Sequence, residues 1–246
     1  MTTVILDSFY SVDSNEIWAA AFKNKWNAVR TNNLQQLKTN EDLFFYMGTE
    51  RSGDLAKKLN CELISPALDW LVNLPHRYRS RTVKSLPWSE ARVSTAPGFY
   101  KPADDKWFQA KIYESGRAII PCSEEIDPNE VVIYSDPVKF IKEFRFFVLD
   151  RKPLTGSLYA IDGRISKTNE GWIIDEENYK NALEFVTQFC EDSRVEMPRS
   201  LVIDVGLLDY GTWAVVESNP SHAAGLYSSD PDLALLCIQA ATVNKI

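Results

Sequence analysis

Three residue sets in this sequence have types and spacings that suit chemistry. The densest is Val202-Ile203-Asp204-Val205-Gly206-Leu207-Leu208-Asp209-Tyr210-Gly211-Thr212-Trp213-Ala214-Val215-Val216-Glu217-Ser218-Asn219-Pro220. If Asp209 to Thr212 is a four-residue hairpin loop, Leu208 pairs with Trp213 and Gly206 with Val215. The same register sets Asp204 opposite Glu217, with Cβ atoms ~4.5–5.5 Å apart. Asn219 lies two residues on and shares the face of Glu217. Facing carboxylates repel unless a cation sits between them. Two anionic oxygen donors and one neutral donor suit Mg²⁺, which keeps waters and phosphate oxygens as its other ligands. The alternative is a solvated hairpin face with incidental acids. Leu207, Val215 and Val216 mark a largely buried element and favour the metal.

Lysines supply the second set. Tyr100-Lys101-Pro102-Ala103-Asp104-Asp105-Lys106-Trp107-Phe108 places Lys101 at a strand end and Lys106 five residues later, across a turn. Two ammonium groups so placed neutralise phosphates as point charges, although most lysines are simply solvated. The third set is Glu143-Phe144-Arg145-Phe146-Phe147-Val148. Here Glu143 and Arg145 share one strand face and Phe144 and Phe146 the other. This is either a structural ion pair or a ribose-binding acid beside a phosphate-binding fork. The basic cluster His76-Arg77-Tyr78-Arg79-Ser80-Arg81 reads either as a solvated helix face or as an anion site. In the second reading, Arg79 or Arg81 would hold a substrate carboxylate. With only His76 and His222 and no Cys-x-x-Cys, a multi-histidine or zinc site is excluded. No Gly-x-Ser-x-Gly elbow, Gly-x-Gly-x-x-Gly turn or Walker A loop occurs.

Phosphate lysines, a hinge, a strand with a polar face and a metal hairpin follow one another in that order. This order resembles the ATP-grasp superfamily, and most of all its short-chain clade named for one arginine and two lysines. The resemblance covers about residues 86 to 227. It implies that Asp204, Glu217 and Asn219 bind Mg²⁺, that Lys101 contacts nucleotide phosphates, and that Lys106 lies in the phosphate loop as a catalytic group. It implies further that Glu143 meets the ribose and that the stretch from Ile133 to Val138 is the hinge reading adenine, with Tyr134, Ser135 and Val138 on the nucleotide. Arg145 then serves as a catalytic contact to phosphate or acyl phosphate. The loop Ala103-Asp104-Asp105-Lys106 departs from larger members in lacking glycines. The implied activity is an ATP-dependent carboxylate–amine ligase passing through an acyl phosphate, with ATP and Mg²⁺ bound and a small-molecule or peptide carboxylate and an amine as partners. The alternatives are a nucleotide-binding protein without turnover and an ATP-dependent kinase.

These groups need a scaffold, and 246 residues allow one large domain or two small ones. Thr3–Leu6, Asp42–Met47 and Cys61–Ile64 read as strands. Helices at Asn15–Phe22, capped by Ser14, and at Ser52–Leu59 alternate with them, which indicates a small parallel α/β unit over residues 1–85. Further helices are expected at Pro66–Leu74 and Arg79–Val83. From residue 86 the texture becomes α+β. Strands are expected at Gly98–Lys101, Gln109–Glu114, Glu130–Ser135, Ile141–Leu149 and Pro153–Ala160, with the hairpin after them. The helices of this part are Glu176–Cys190 and Asp232–Val243. The expected fold is thus a parallel α/β (pre-ATP-grasp) domain at 1–85 followed by an ATP-grasp domain of antiparallel sheets at 86–246. A net charge of −7 disfavours nucleic acid as a partner. No apolar run approaches the ~18 residues of a membrane span. The first Lys is Lys23, so a basic secretory leader is not expected. Four scattered cysteines, read as reduced and buried, point to a cytoplasmic protein; the oligomeric state is open.

Overall fold

The computed structural model describes residues 1–37, 41–104 and 106–245. The chain begins with β1 (Thr2–Leu6), α1 (Val12–Lys23), β2 (Asn27–Arg30), β3 (Asp42–Tyr46) and α2 (Thr49–Lys58). The three strands form a parallel sheet in the order β2-β1-β3. Alternation along β1 sends Val4 and Leu6 to one face and Ile5 to the other, where it meets Phe45 and Ala56 of α2. Ser11 caps α1: its hydroxyl accepts from the Ser14 amide while the Ser14 hydroxyl accepts from the Ser11 amide, both at 3.0 Å. Ser14 is therefore the reciprocal partner of the cap, one turn into the helix, and not the cap itself.

Next come β4 (Cys61–Leu63), α3 (Trp70–Asn73), α4 (His76–Arg79), β5 (Val83–Pro87), α5 (Trp88–Ala91), β6 (Gly98–Pro102), β7 (Lys111–Tyr113) and β8 (Val131–Ser135). The last four strands make an antiparallel sheet in the order β5-β8-β6-β7. The expected helix over Arg79–Val83 is absent because Ser80 adopts the left-handed conformation (φ 52°) and ends α4. Val83 then starts a strand.

The remainder comprises β9 (Phe140–Leu149), β10 (Lys152–Ile161), β11 (Arg164–Ile165), β12 (Lys167–Thr168), β13 (Gly171–Trp172), α6 (Glu176–Glu191), β14 (Ser200–Leu208), β15 (Trp213–Asn219), α7 (Pro231–Ala240) and β16 (Thr242–Asn244). A five-stranded sheet runs β11-β10-β9-β14-β15. One face packs Phe144, Phe146, Leu201, Ile203 and Val205 on Val186 and Phe189 of α6, with Trp70 and Tyr78 beside them. The opposite face buries Phe147 and Val202 against α7, which also covers Val4, Leu6, Ile17 and Phe44 of the parallel unit. One core therefore runs through both sheets.

Two sequence expectations need correction here. Cys61–Leu63 is not a third parallel strand; β4 pairs antiparallel with β16. The third parallel strand is β2, whose four residues are too few to carry a readable alternation. Of the four cysteines, Cys61, Cys190 and Cys237 are buried and Cys122 is exposed.

Candidate active site

One row of cross-strand partners crosses the large sheet: Ser157 on β10, Arg145 on β9, Asp204 on β14 and Glu217 on β15. Pairing puts their side chains on a common face, opposite the face that packs on α6. Asp204 is fully buried and takes the Arg145 fork in two bonds, Nε to Oδ1 at 2.8 Å and Nη2 to Oδ2 at 2.7 Å. Burial opposes the guanidinium charge, yet Asp204 raises the Arg145 pKa above its ordinary value. The remaining Nη1 donates to the Gly225 carbonyl at 3.2 Å, and the guanidinium lies over the rings of Tyr159 and Tyr227.

Asp204 does face Glu217, but by a different register from the one expected. Leu207 pairs with Trp213, Gly206 with Ala214 and Val205 with Val215, and then a β-bulge leaves Val216 unpaired before Asp204 meets Glu217. A tighter loop and one extra residue cancel. The bulge matters because Val215 faces the α6 core. In an unbroken strand Glu217 would follow it there, since residues two apart share a face. Glu217 instead opens onto the cleft, where Lys101 Nζ donates to Oε2 at 2.8 Å. Burial works against its charge, but Lys101 holds the Glu217 carboxyl below its usual pKa. The Asn219 amide nitrogen reaches Glu217 Oε1 at 3.2 Å and Asp204 Oδ2 at 3.4 Å.

The cluster fits a hard cation in chemistry. The Asn219 amide donor lies between two carboxylates, as a cation would, and a half-turn of the amide presents its oxygen instead. Glu217 and Asn219 line the cleft; Asp204 lies behind Arg145 and lines neither of the two cavities that they border. Among the described residues no three His, Cys, Asp or Glu side chains converge as a metal site.

A cavity of 240 Å³ lies between the two antiparallel sheets. Lys101, Ser135, Val138 and Glu143 line it, together with Arg81 and Phe140. Burial raises the Glu143 pKa, while the Tyr159 hydroxyl donates to it at 2.8 Å. Tyr134 points to the other side of β8: its ring packs on Tyr100 and its hydroxyl donates to the Pro97 carbonyl. Tyr134 is not among the residues lining the cavity, unlike Ile133 and Ser135 on either side of it. Lys106 is exposed and lines a separate open cavity of 880 Å³ that also touches Lys101, Glu217 and Asn219. Asp105 lies outside the described residues.

Arg81 was singled out in the sequence but its partners were not, and a cavity, His222 and Gly225 beside the site escaped the sequence reading. Arg81 is only 7% exposed and is bonded to protein groups, not poised for a carboxylate. A 450 Å³ cavity sits at the carboxyl ends of β1 and β3, lined by Asp7, Asp13, Tyr46, Arg51 and His222. The sheet order reverses there, a place where open α/β sheets bind ligands. His222 is buried with Nδ1 unpartnered, and burial pulls its pKa down to about 4. Gly225 separates Asp13 from Arg145; a Cβ there would lie 3.4 Å from Asp13 Oδ2 and 3.7 Å from Arg145 Nη1. Pro220, just after Asn219, was the available hint that the loop to His222 folds back on the site.

Residues 78–236 match the model of an ATP-grasp domain, family 2 of the clade named for one arginine and two lysines. Among solved structures, the fold is similar to that of a RimK-domain ATP-grasp protein from Sphaerobacter thermophilus, at 14% identity and TM-score 0.53 over 98% of each chain. It is also similar to the D-cycloserine synthetase DcsG, at 12% identity and TM-score 0.55, over 97% of this chain and 99% of that one. D-alanine–D-alanine ligase from Bacillus anthracis matches at 14% identity and TM-score 0.50, over 97% and 96%. At such identities the likeness concerns the fold. No curated protein sequence matches the chain.

Proposed function

We propose, from the premise that this chain belongs to family 2 of the arginine-and-two-lysines clade of ATP-grasp domains, that it joins a carboxylate to an amine at the expense of ATP, releasing ADP and phosphate. The observation that carries the proposal is the convergence of Asp204, Glu217, Asn219 and Lys101 beside a cavity lined by Ser135, Val138 and Glu143.

The nucleotide base occupies the 240 Å³ cavity against the β8 backbone, with Glu143 on the ribose. Lys101 and Lys106 neutralise the phosphates from the β6 side. Glu217 and Asn219, backed by Asp204, hold Mg²⁺, which supplies charge neutralisation on the transferring phosphoryl group. Burial pushes the Asp204 carboxyl above its usual pKa and the Arg145 fork opposes that shift; Arg145 also adds its positive charge to the acyl-phosphate side of the cleft. In the first step a carboxylate oxygen takes the γ-phosphoryl group as the bond to ADP breaks. In the second the amine nitrogen bonds to the acyl carbon, phosphate leaves with the C–O bond, and the nitrogen loses a proton. Neither step requires a protein nucleophile, in keeping with the scarcity of histidine.

We divide the work at residues 85/86: residues 1–85 supply most of the wall of the switch-point cavity where an acceptor enters, with His222 and Gly225 completing it, and 86–246 hold nucleotide and metal. Among the described residues no helix is long and apolar enough to cross a membrane; we place the protein in the cytoplasm. The acceptors are a small-molecule or peptide carboxylate and an amine.

The test is ADP release with Mg-ATP against pools of carboxylates and amines. Release that needs both supports the ligase; release with one acceptor and a stable phosphorylated product indicates a kinase. A folded protein whose melting temperature ignores millimolar Mg-ATP would defeat the nucleotide reading, since a ligand at a hundredfold its Kd adds ~2.7 kcal/mol.

A further inference from the structure

Arg81 lies on the loop between α4 and β5, outside the metal hairpin, yet it is bonded into that hairpin. Its Nη1 donates to the Val215 carbonyl at 2.8 Å and to the Arg79 carbonyl at 2.9 Å. Its Nη2 donates to the Val216 carbonyl at 3.1 Å, and its Nε to Ser135 Oγ at 3.0 Å. Ser135 Oγ in turn donates to the Asp136 carbonyl at 2.9 Å. The guanidinium rests over the Phe140 ring, which fits only because Gly206 has no Cβ to overlap it. The acids of the cleft are engaged elsewhere, Asp204 by Arg145 and Glu217 by Lys101.

Val215 and Val216 are the two residues of the bulge. A bulge inserts one residue, and one residue is what reverses the facing of every side chain after it. Here it carries Glu217 and Asn219 from the α6 core face to the cleft face. A bulge leaves carbonyls without ladder partners, and an unpaired buried carbonyl is costly. Arg81 supplies donors at this point, in a planar fork that lysine cannot reproduce.

We propose that Arg81 is a positioning residue for the metal-binding pair: it fixes the bulge that turns Glu217 and Asn219 into the cleft, and through Ser135 it ties that bulge to the strand bordering the nucleotide cavity. The inference rests on the reading of Glu217 and Asn219 as metal ligands, and adds a group that borders the nucleotide cavity but spends its hydrogen bonds on protein groups. It also replaces the expectation that Arg81 holds a substrate carboxylate.

The test compares wild type with Arg81→Lys and Arg81→Met. Affinity for ATP is measured in Mg²⁺ and in chelator. Arg81→Lys should weaken ATP binding in Mg²⁺ by about 10–100-fold, the cost usual for outer partners of metal ligands, and should leave binding in chelator nearly unchanged. Combined with Glu217→Gln it should add nothing to the loss from Glu217→Gln alone. Losses that multiply, or equal losses in Mg²⁺ and chelator, would overturn the proposal. Amide exchange across residues 213–219 gives an arm independent of ATP: it should accelerate in both variants while residues 176–191 keep their protection. Tyr78→Phe, which loosens α4 against α6 without touching the bulge, should not reproduce that pattern. If wild type fails to bind Mg-ATP, the functional reading falls and the exchange arm alone decides whether Arg81 holds the bulge. Unchanged exchange at 213–219 would refute it.

Discussion

The two walls of the cleft are held in opposite ways. On the large sheet Arg145 is bonded to Asp204, both buried, and Tyr159 to Glu143, both half-buried. On the small sheet and the loop after β6, Lys101 is partly exposed and Lys106 is exposed. One wall closes its ion pair within itself; the other presents Lys106 and shares Lys101 with Glu217 across the cleft. The difference explains how a cleft can be both stable when empty and attractive to a polyanion. A fixed electrostatic frame costs no reorganisation during reaction, and in the proposed function the lysines answer the phosphates.

The largest effect should come from breaking the compensated wall. Asp204→Asn strands the Arg145 guanidinium in the interior and should cost about 3–5 kcal/mol, the range for a buried pair that loses one partner. Urea unfolding measures it. Asp204→Leu combined with Arg145→Met should recover most of that stability and still bind no metal; failure to recover would mean the pair holds the sheet by more than charge compensation.

His222 extends the same wall and sharpens the contrast through pH. Its pKa is about 4 in the folded chain against an ordinary 6.5, so the unfolded chain takes up the proton first as pH falls. Stability is therefore complete above about pH 6.5 and declines toward about pH 4, by about 3 kcal/mol. Melting curves across that window should show the slope, and His222→Asn should flatten it.

Glu217 stands where the walls meet. The facing acids looked mutually repulsive in sequence, but Arg145 neutralises Asp204 and Lys101 neutralises Glu217. Glu217→Gln should therefore lower metal-free stability by about 1 kcal/mol, the value of a charge-assisted bond at a half-open site, and remove the part of the ATP-induced melting shift that depends on Mg²⁺. A rise in stability in chelator would restore the repulsion picture. Lys106→Ala should be the mildest change, within about 0.5 kcal/mol of wild type in stability, as for an exposed position. It should nevertheless raise the apparent KM for ATP. A large stability loss would place Lys106 on the compensated wall after all.

How far the sequence disclosed these walls depends on the range of the signal. The long strands and α6 were readable because alternation and helical spacing persist over about ten residues or more. Asp204, Glu217 and Asn219 were readable because a hairpin is local. The bulge at Val216 was not, since nothing in Val215-Val216 distinguishes a bulged pair from a regular one. β2 was too short to show a pattern. The pairing of β4 with β16 joins distant stretches of chain, and Arg81 reaches Val215 across 134 positions. Such partners are set by three-dimensional packing, which a local pattern does not encode. The switch-point cavity was hidden for the same reason, because Asp13, Tyr46 and His222 meet only in space.

The pairing of β4 with β16 and the lodging of α7 against α1 and β3 have a consequence for the order of events at synthesis. The parallel unit emerges first, yet Ile17, Ala20 and Phe44 keep an uncovered apolar flank until residues 231–240 arrive, and β4 has no partner until 242–244 follow. The unit made first is therefore closed last. Between those moments the nascent chain carries a three-stranded sheet with an open flank, and its contacts are of the non-local kind that close slowly. A ribosome stalled before residue 231 should hold an N-terminal unit that proteases cut readily, and one stalled late enough to expose residue 244 should hold one they do not.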